Sequence, residues 1–215
     1  TLHPKMKEIC AEFKRMGVTW DCLTRVNVVT KDLLKMMVDS GCIRICLGVE
    51  SGSPRILKLI KKNITLTQVR NAFKWSHEVG IKLIDGAFMI GSHPSEDVED
   101  IRMTVNLINE IKPHFWSLTV LVPFPGTEVY RMMKEKGYLS DERWENFVMF
   151  GKTPTWRTDN FTGEQLMKIQ KWAMRKTYLR IGYMLTMLAK IKSINEFKYY
   201  LGVGTDFLKS VVIKQ

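Results

Sequence analysis

The stretch that most constrains this chain is CIRICLGVESGSPRILKLIKK, residues 42–62. Ile43, Ile45, Leu47 and Val49 recur at every second position, the period of a strand. The run stops at Glu50, passes through Ser51-Gly52-Ser53 and enters a helical pattern. Ser53 is a good N-cap, and Pro54 then stands at the first helical position, where its missing N–H costs nothing. Lys58, Lys61 and Lys62 are placed late in that helix, where the dipole favours cations. The stretch predicts a strand–turn–helix with Glu50 at the carboxyl end of a buried strand, where parallel α/β folds hold their ligands. The spacing alone names no chemistry.

The same alternation runs through the first two thirds of the chain. Residues 4–16 carry a helical apolar stripe closed by Gly17, and a strand follows that ends near Arg25. Thr30 caps a helix closed by Gly41, and Thr65 to Gln68 form a capping box for a helix closed by Gly80. Ile81–Ile90 reads as the next strand, with Gly91-Ser92-His93-Pro94 as its exit, and Ser95 to Asp97 open another helix. Phe115–Val122 is the fourth strand and leaves through Pro123-Phe124-Pro125-Gly126-Thr127 to a helix closed by Gly137. Strands and helices in this order predict α/β architecture with parallel strands and right-handed crossovers.

Past Gly137 the pattern changes. Residues 140–161 read as an irregular, polar and aromatic covering loop, and residues 164–191 as one long helix rich in Met, Lys and Arg. Charge follows this division. Residues 166–215 hold ten Lys/Arg and two Asp/Glu, a net +8, while the other 165 residues carry only +3 of the total +11. Such a segment suits nucleic acid, an acidic partner or a membrane surface, or is simply a solvated helix face packed on its own domain.

Cys10, Cys22, Cys42 and Cys46 fall inside helix and strand patterns, as a reduced set of small core residues. Cys42 and Cys46 share a strand face about 13 Å apart at ~3.3 Å per residue, too far to ligate one metal. The four histidines are scattered, and no P-loop, G-x-S-x-G elbow or H-E-x-x-H is present, which argues against a hydrolase. No run of apolar residues is long enough for a transmembrane helix, so a cytoplasmic location is expected.

Four strand ends now stand together: Arg25, Glu50 in GVESGS, Gly91 with Pro94 and Glu96, and PFPGT at 123–127. In this order and spacing they resemble the radical S-adenosylmethionine superfamily. The likeness is nearest to the branch that often follows a cobalamin-binding domain, that of the anaerobic magnesium-protoporphyrin cyclase and related methyltransferases. LGVESGSPRILKLIKK carries most of it, and it covers residues 1–138. The resemblance implies a partial TIM-like (β/α) barrel, of which this chain would supply the helix after strand two and strands three to six, with residues 139–215 as a C-terminal extension.

It also implies an enzyme that cleaves S-adenosylmethionine reductively at a [4Fe–4S] cluster, with cobalamin as a second cofactor in the branch it resembles. That cluster would sit on a Cys-x3-Cys-x2-Cys loop in an N-terminal remainder of the same protein, since Val49 stands where a third cysteine would follow Cys42 and Cys46. A small-molecule substrate and a ferredoxin or flavodoxin reductant are implied partners. Carried over by position, Glu50 with Ser51 would meet the ribose or methionine part, Arg25 the methionine carboxylate, and Lys62 the same ligand. Ala87 and the backbone near Val122 would flank it. Each has a plainer reading: Glu50 as a helix-start carboxylate, Arg25 as half of a strand-end ion pair, Lys62 as a helix C-terminal cation. Asp85 is a rim group or a core-edge residue. His93 occupies a loop where two residues, not one, separate Gly91 from Pro94. The alternative function is RNA modification or nucleic-acid binding through the basic C-terminal helix.

Overall fold

The computed structural model describes residues 4–148 and 153–188, with single positions at 193, 194, 198, 201, 202 and 205. Four strands, β1 (Trp20–Arg25), β2 (Cys42–Glu50), β3 (Leu83–Ile90) and β4 (Phe115–Val120), pair in parallel in that order. Helix α1 (Met6–Met16) precedes the sheet, and α2 (Lys31–Asp39) joins β1 to β2. A short α3 (Pro54–Leu59) and α4 (Leu66–Glu78) join β2 to β3, and α5 (Val98–Ile111) joins β3 to β4. The expected parallel α/β sheet is therefore present, laid down strand by strand as in a (β/α) barrel, and among the described residues it is open at β1 and β4.

The caps follow the sequence. Thr30 Oγ1 accepts from Leu33 N, Ser53 Oγ from Ile56 N, and Thr65 with Gln68 forms the reciprocal box. Asp97 caps α5, and its partner in a second reciprocal box is Asp100.

One sheet face is the core. Ile45, Leu47, Val49, Ile84, Phe88, Ile90 and Leu118 are buried there, as are Leu34, Met37, Val69, Phe73, Ile101 and Ile108 of the helices. Each such side chain is worth about 1.5–3 kcal/mol in transfer free energy. The opposite face is partly open: Leu23 is 82% exposed, and Arg25, Arg44 and Ser117 are exposed beside half-buried Cys46, Gly48 and Ala87.

Contacts divide the chain into residues 1–121 and 122–215. The second unit holds α6 (Glu128–Glu135), α7 (Gly163–Tyr178) and α8 (Ile181–Leu188). The long helix expected over 164–191 is thus interrupted at Leu179-Arg180: Leu179 N bonds Arg175 O, and α8 restarts from Arg180; positions 189–191 lie outside the described residues. The segment expected to be a loose loop is pinned by its ends. Leu139 bridges Trp156, Ser140 N donates to Thr155 O at 2.9 Å, and the Arg157 guanidinium lies 4.2 Å from the Tyr138 ring centre.

Candidate functional site

Strand register sets out the open face at the carboxyl ends of the strands. Arg25 pairs with Gly48, Gly48 with Ala87 and Ala87 with Ser117, so these four form one row across the sheet. Just beyond that row the β2–β3 pairing slips, and Glu50 faces Phe88. Glu50 itself takes a left-handed backbone, φ +74°. A non-glycine residue held there costs about 1–3 kcal/mol and persists only where its surroundings impose it. Bulges of this kind re-aim side chains beside functional sites.

The re-aimed carboxylate meets Lys62, whose Nζ donates to Glu50 Oε1 at 2.6 Å. Their side chains are only 17% and 20% exposed. Both stand over Gly48: a Cβ there would lie 3.3 Å from Lys62 Nζ and 3.4 Å from Glu50 Oε1. Lys62 does not sit in the last turn of a helix, as expected from sequence. Helix α3 ends at Leu59, and left-handed Lys61 (φ +55°) and Asn63 (φ +54°) fold the chain back across the strand ends. Arg25 Nη2 then donates to Lys62 O at 2.5 Å and Asn27 Nδ2 to Asn63 O at 3.5 Å. Arg25, Gly48, Glu50 and Lys62 are thereby brought together: two cations and one carboxylate, with the Lys62–Glu50 pair occupying the space over Gly48 that a side chain would fill.

Ser51 is held away from this rim. It is fully buried, its Oγ lies 3.3 Å from Thr104 Oγ1, and it accepts from Ser53 N at 3.1 Å. Gly52 N donates to Thr104 Oγ1 at 2.8 Å. Ser53 Oγ donates to Asp100 Oδ1 at 2.6 Å, and Arg55 binds both Asp100 and the Ser95 carbonyl. Burial alone would raise the Asp100 pKa, but Arg55, Ser53 and the Asp97 amide together hold it below the usual carboxylate range. This network ties the exit of β2 to the start of α5.

Glu96 performs the same task for the exit of β3. It is fully buried, and its Oε2 accepts from Ser92 N at 3.0 Å. Burial pushes its pKa up to about 7, against the pull of the Ser92 and Gly91 amides. His93 Nδ1 accepts from Ser95 N at 3.1 Å within the same loop.

Asp85 is not a rim group. It is 5% exposed and pairs with Arg44 Nε at 2.7 Å across β2 and β3. Burial outweighs that pairing and raises its pKa. Val122 lies just past β4 in the second unit, where its carbonyl accepts from Phe124 N.

The donor chemistry at the rim fits an amino-acid nucleoside. A guanidinium suits a carboxylate, and a carboxylate suits hydroxyls or an ammonium. The cysteines do not fit an iron–sulfur cluster. All four are free thiols; the Cys42 thiol, which donates to the Arg44 carbonyl at 3.3 Å, is held well above its ordinary range by the neighbouring Cys22 thiol first and by burial second. Among the described residues no group of three His, Cys, Asp or Glu side chains could hold a metal ion.

Sequence reasoning found Arg25, Glu50 and Lys62 but missed Gly48, Arg55, Asp100 and Thr104. Their one visible signal was a glycine interrupting an apolar strand, for Gly48.

Comparison with known proteins identifies the family. The family model described as the radical SAM superfamily matches residues 1–108. An uncharacterized methyltransferase of Pyrococcus horikoshii is 30% identical over 183 residues, 84% of this chain and 39% of that protein. The anaerobic magnesium-protoporphyrin IX monomethyl ester cyclase of Rubrivivax gelatinosus is 26% identical over 98% of this chain and 37% of its own length. The chain thus spans under two fifths of these relatives. The cobalamin-dependent S-adenosylmethionine radical enzyme OxsB superposes with a TM-score of 0.57 at 16% identity, over 94% of this chain and 35% of that one. Likeness at that identity concerns the fold.

Proposed function

The chain belongs to the radical SAM superfamily, and from that premise we propose that its rim is the S-adenosylmethionine half-site of a radical enzyme. The single observation that carries the reading is the convergence of Arg25, Glu50 and Lys62 over Gly48. Arg25 binds the methionine carboxylate, and Glu50 orients ribose hydroxyls or the ammonium. Lys62 holds Glu50 in place until the ligand arrives. Ala87, small and half-buried in the row beside Gly48, leaves room for the nucleoside. Ser51 acts through the Thr104 network, by fixing the turn that aims Glu50.

When bound, S-adenosylmethionine and a [4Fe–4S] cluster supply a one-electron route to breaking a carbon–sulfur bond. The cluster belongs to a Cys-x3-Cys-x2-Cys loop in the N-terminal remainder of the protein, since the cysteines here do not fit it. The reductant is a ferredoxin or flavodoxin, the substrate a small molecule, and the setting cytoplasmic. The printed names of the relatives, methyltransferase and porphyrin cyclase, favour methyl transfer or ring closure, and OxsB's dependence on cobalamin makes that cofactor a fitting second one.

The test uses the full-length protein purified without oxygen. It should hold about four irons and form 5′-deoxyadenosine from S-adenosylmethionine under reduction. Glu50→Ala should keep the iron and form at least tenfold less product, the loss of a hydrogen bond to a charged group. Absence of both iron and cleavage from the wild type would overturn the reading.

A further inference from the structure

Helix α8, IGYMLTML, contains no charged residue, yet among its described side chains most are exposed. Ile181, Met184, Leu185 and Leu188 follow the i, i+3, i+4, i+7 spacing of one helical face and are between 41% and 72% exposed. Trp172 and Leu179, in and after α7, are 41% and 40% exposed, and Ile194 and Leu201 further along are 65% and 56% exposed. An apolar face of this extent on a folded protein marks a surface that meets something.

Charge decides what that is. Lys168, Arg175, Lys176 and Arg180 are exposed along α7 and at its junction with α8. Residues 166–215 carry +8 with only two acids. A second copy seated on this face would bring two such segments together with almost nothing acidic to pair them. Nucleic acid would use the cations but not the apolar stripe. An anionic lipid surface uses both, with acyl chains for the stripe and headgroups for the cations. Tyr178 and Tyr183, whose rings meet edge to face at 5.5 Å, stand at the boundary, where amphipathic aromatics settle at a membrane interface. No described helix is long and apolar enough to cross a membrane, so α8 would lie in the interface.

We infer that α8 and the basic end of α7 form a reversible docking surface for anionic membranes. The full-length protein should co-sediment with mixed phosphatidylcholine–phosphatidylglycerol vesicles and not with phosphatidylcholine alone. Binding should weaken as salt rises from roughly 0.1 to 0.5 M. Leu185→Asp should reduce it at least tenfold. Lys176→Glu with Arg180→Glu should reduce it by roughly fivefold for each cation lost. These positions are exposed, so the melting temperature should hold and serves as the folding control. Failure of the wild type to bind anionic vesicles overturns the inference, as does binding that Leu185→Asp leaves intact. A dimer that Leu185→Asp dissociates, or salt-sensitive RNA binding without vesicle binding, overturns it in favour of the other occupants.

Discussion

Gly52→Ala is expected to destabilise the chain by about 3 kcal/mol or more, the sum of overpacking and a broken buried hydrogen bond. A Cβ at this position would stand 2.5 Å from the Met103 carbonyl oxygen and 2.6 Å from Thr104 Cα. Both are backbone of α5 and cannot rotate aside. Relief requires α5 and the β2 exit to separate, which breaks the bond from Gly52 N to Thr104 Oγ1 and strains the Ser51, Ser53 and Asp100 contacts around it. Gly17→Ala is the control. Its new Cβ meets nothing within 4 Å, so only the left-handed backbone is penalised, at about 1 kcal/mol. Urea denaturation of both variants decides between steric and conformational causes. A cost below about 1 kcal/mol for Gly52→Ala would mean that the α3–α5 junction is not tightly fitted. Because Gly52 lies two residues past Glu50, the same variant should also weaken ligand binding.

The second large effect concerns pH. An ordinary glutamate ionises near 4.5, whereas buried Glu96 does so at about 7. Between those values the folded chain keeps a proton that the unfolded chain has released. Stability from this group is therefore complete below pH 4.5 and falls as pH rises through 7. The total change is about 3 kcal/mol at ~1.4 kcal/mol per pH unit. Of the charged groups acting on it, Asp100 opposes the ionised form and Arg55 favours it. Glu96→Gln keeps an acceptor for the Ser92 amide and cannot ionise. It should lose most of that slope and be more stable than wild type at pH 8. Parallel denaturation curves for the two proteins from pH 5 to 8.5 would count against Glu96 as the titrating group.

How much of this was legible in sequence depended on distance along the chain. The caps at Thr30, Ser53 and Thr65 were readable because each involves residues two or three apart. The ends of β1, β2 and β3 were readable because period-two alternation stops where the strand does, whereas β4 stops at Val120, two residues short of the Val122 expected from an apolar run that continues past it. Glu50 and Lys62, twelve residues apart, were both visible, but their meeting was not. It depends on left-handed backbone at Glu50, Lys61 and Asn63, positions where no glycine announces it. Placing Lys62 in a helix was wrong for that reason: six residues of α3 are followed by a reversal that local propensity does not encode. The links of Asp100 to Ser53 and of Thr104 to Gly52 span some fifty residues, and the cross-strand pair of Arg44 with Asp85 needs the sheet register. The interruption at Leu179-Arg180 escaped because helix-forming residues run straight through it.

The most direct test of the rim is equilibrium binding of S-adenosylmethionine to the full-length protein, compared with Glu50→Gly. Glycine tolerates φ +74°, so the turn is kept and any loss belongs to the carboxylate. A fall in affinity of about 10- to 100-fold, the worth of hydrogen bonds to a charged group, is the predicted result. Unchanged affinity would contradict the placement of the ligand at Glu50.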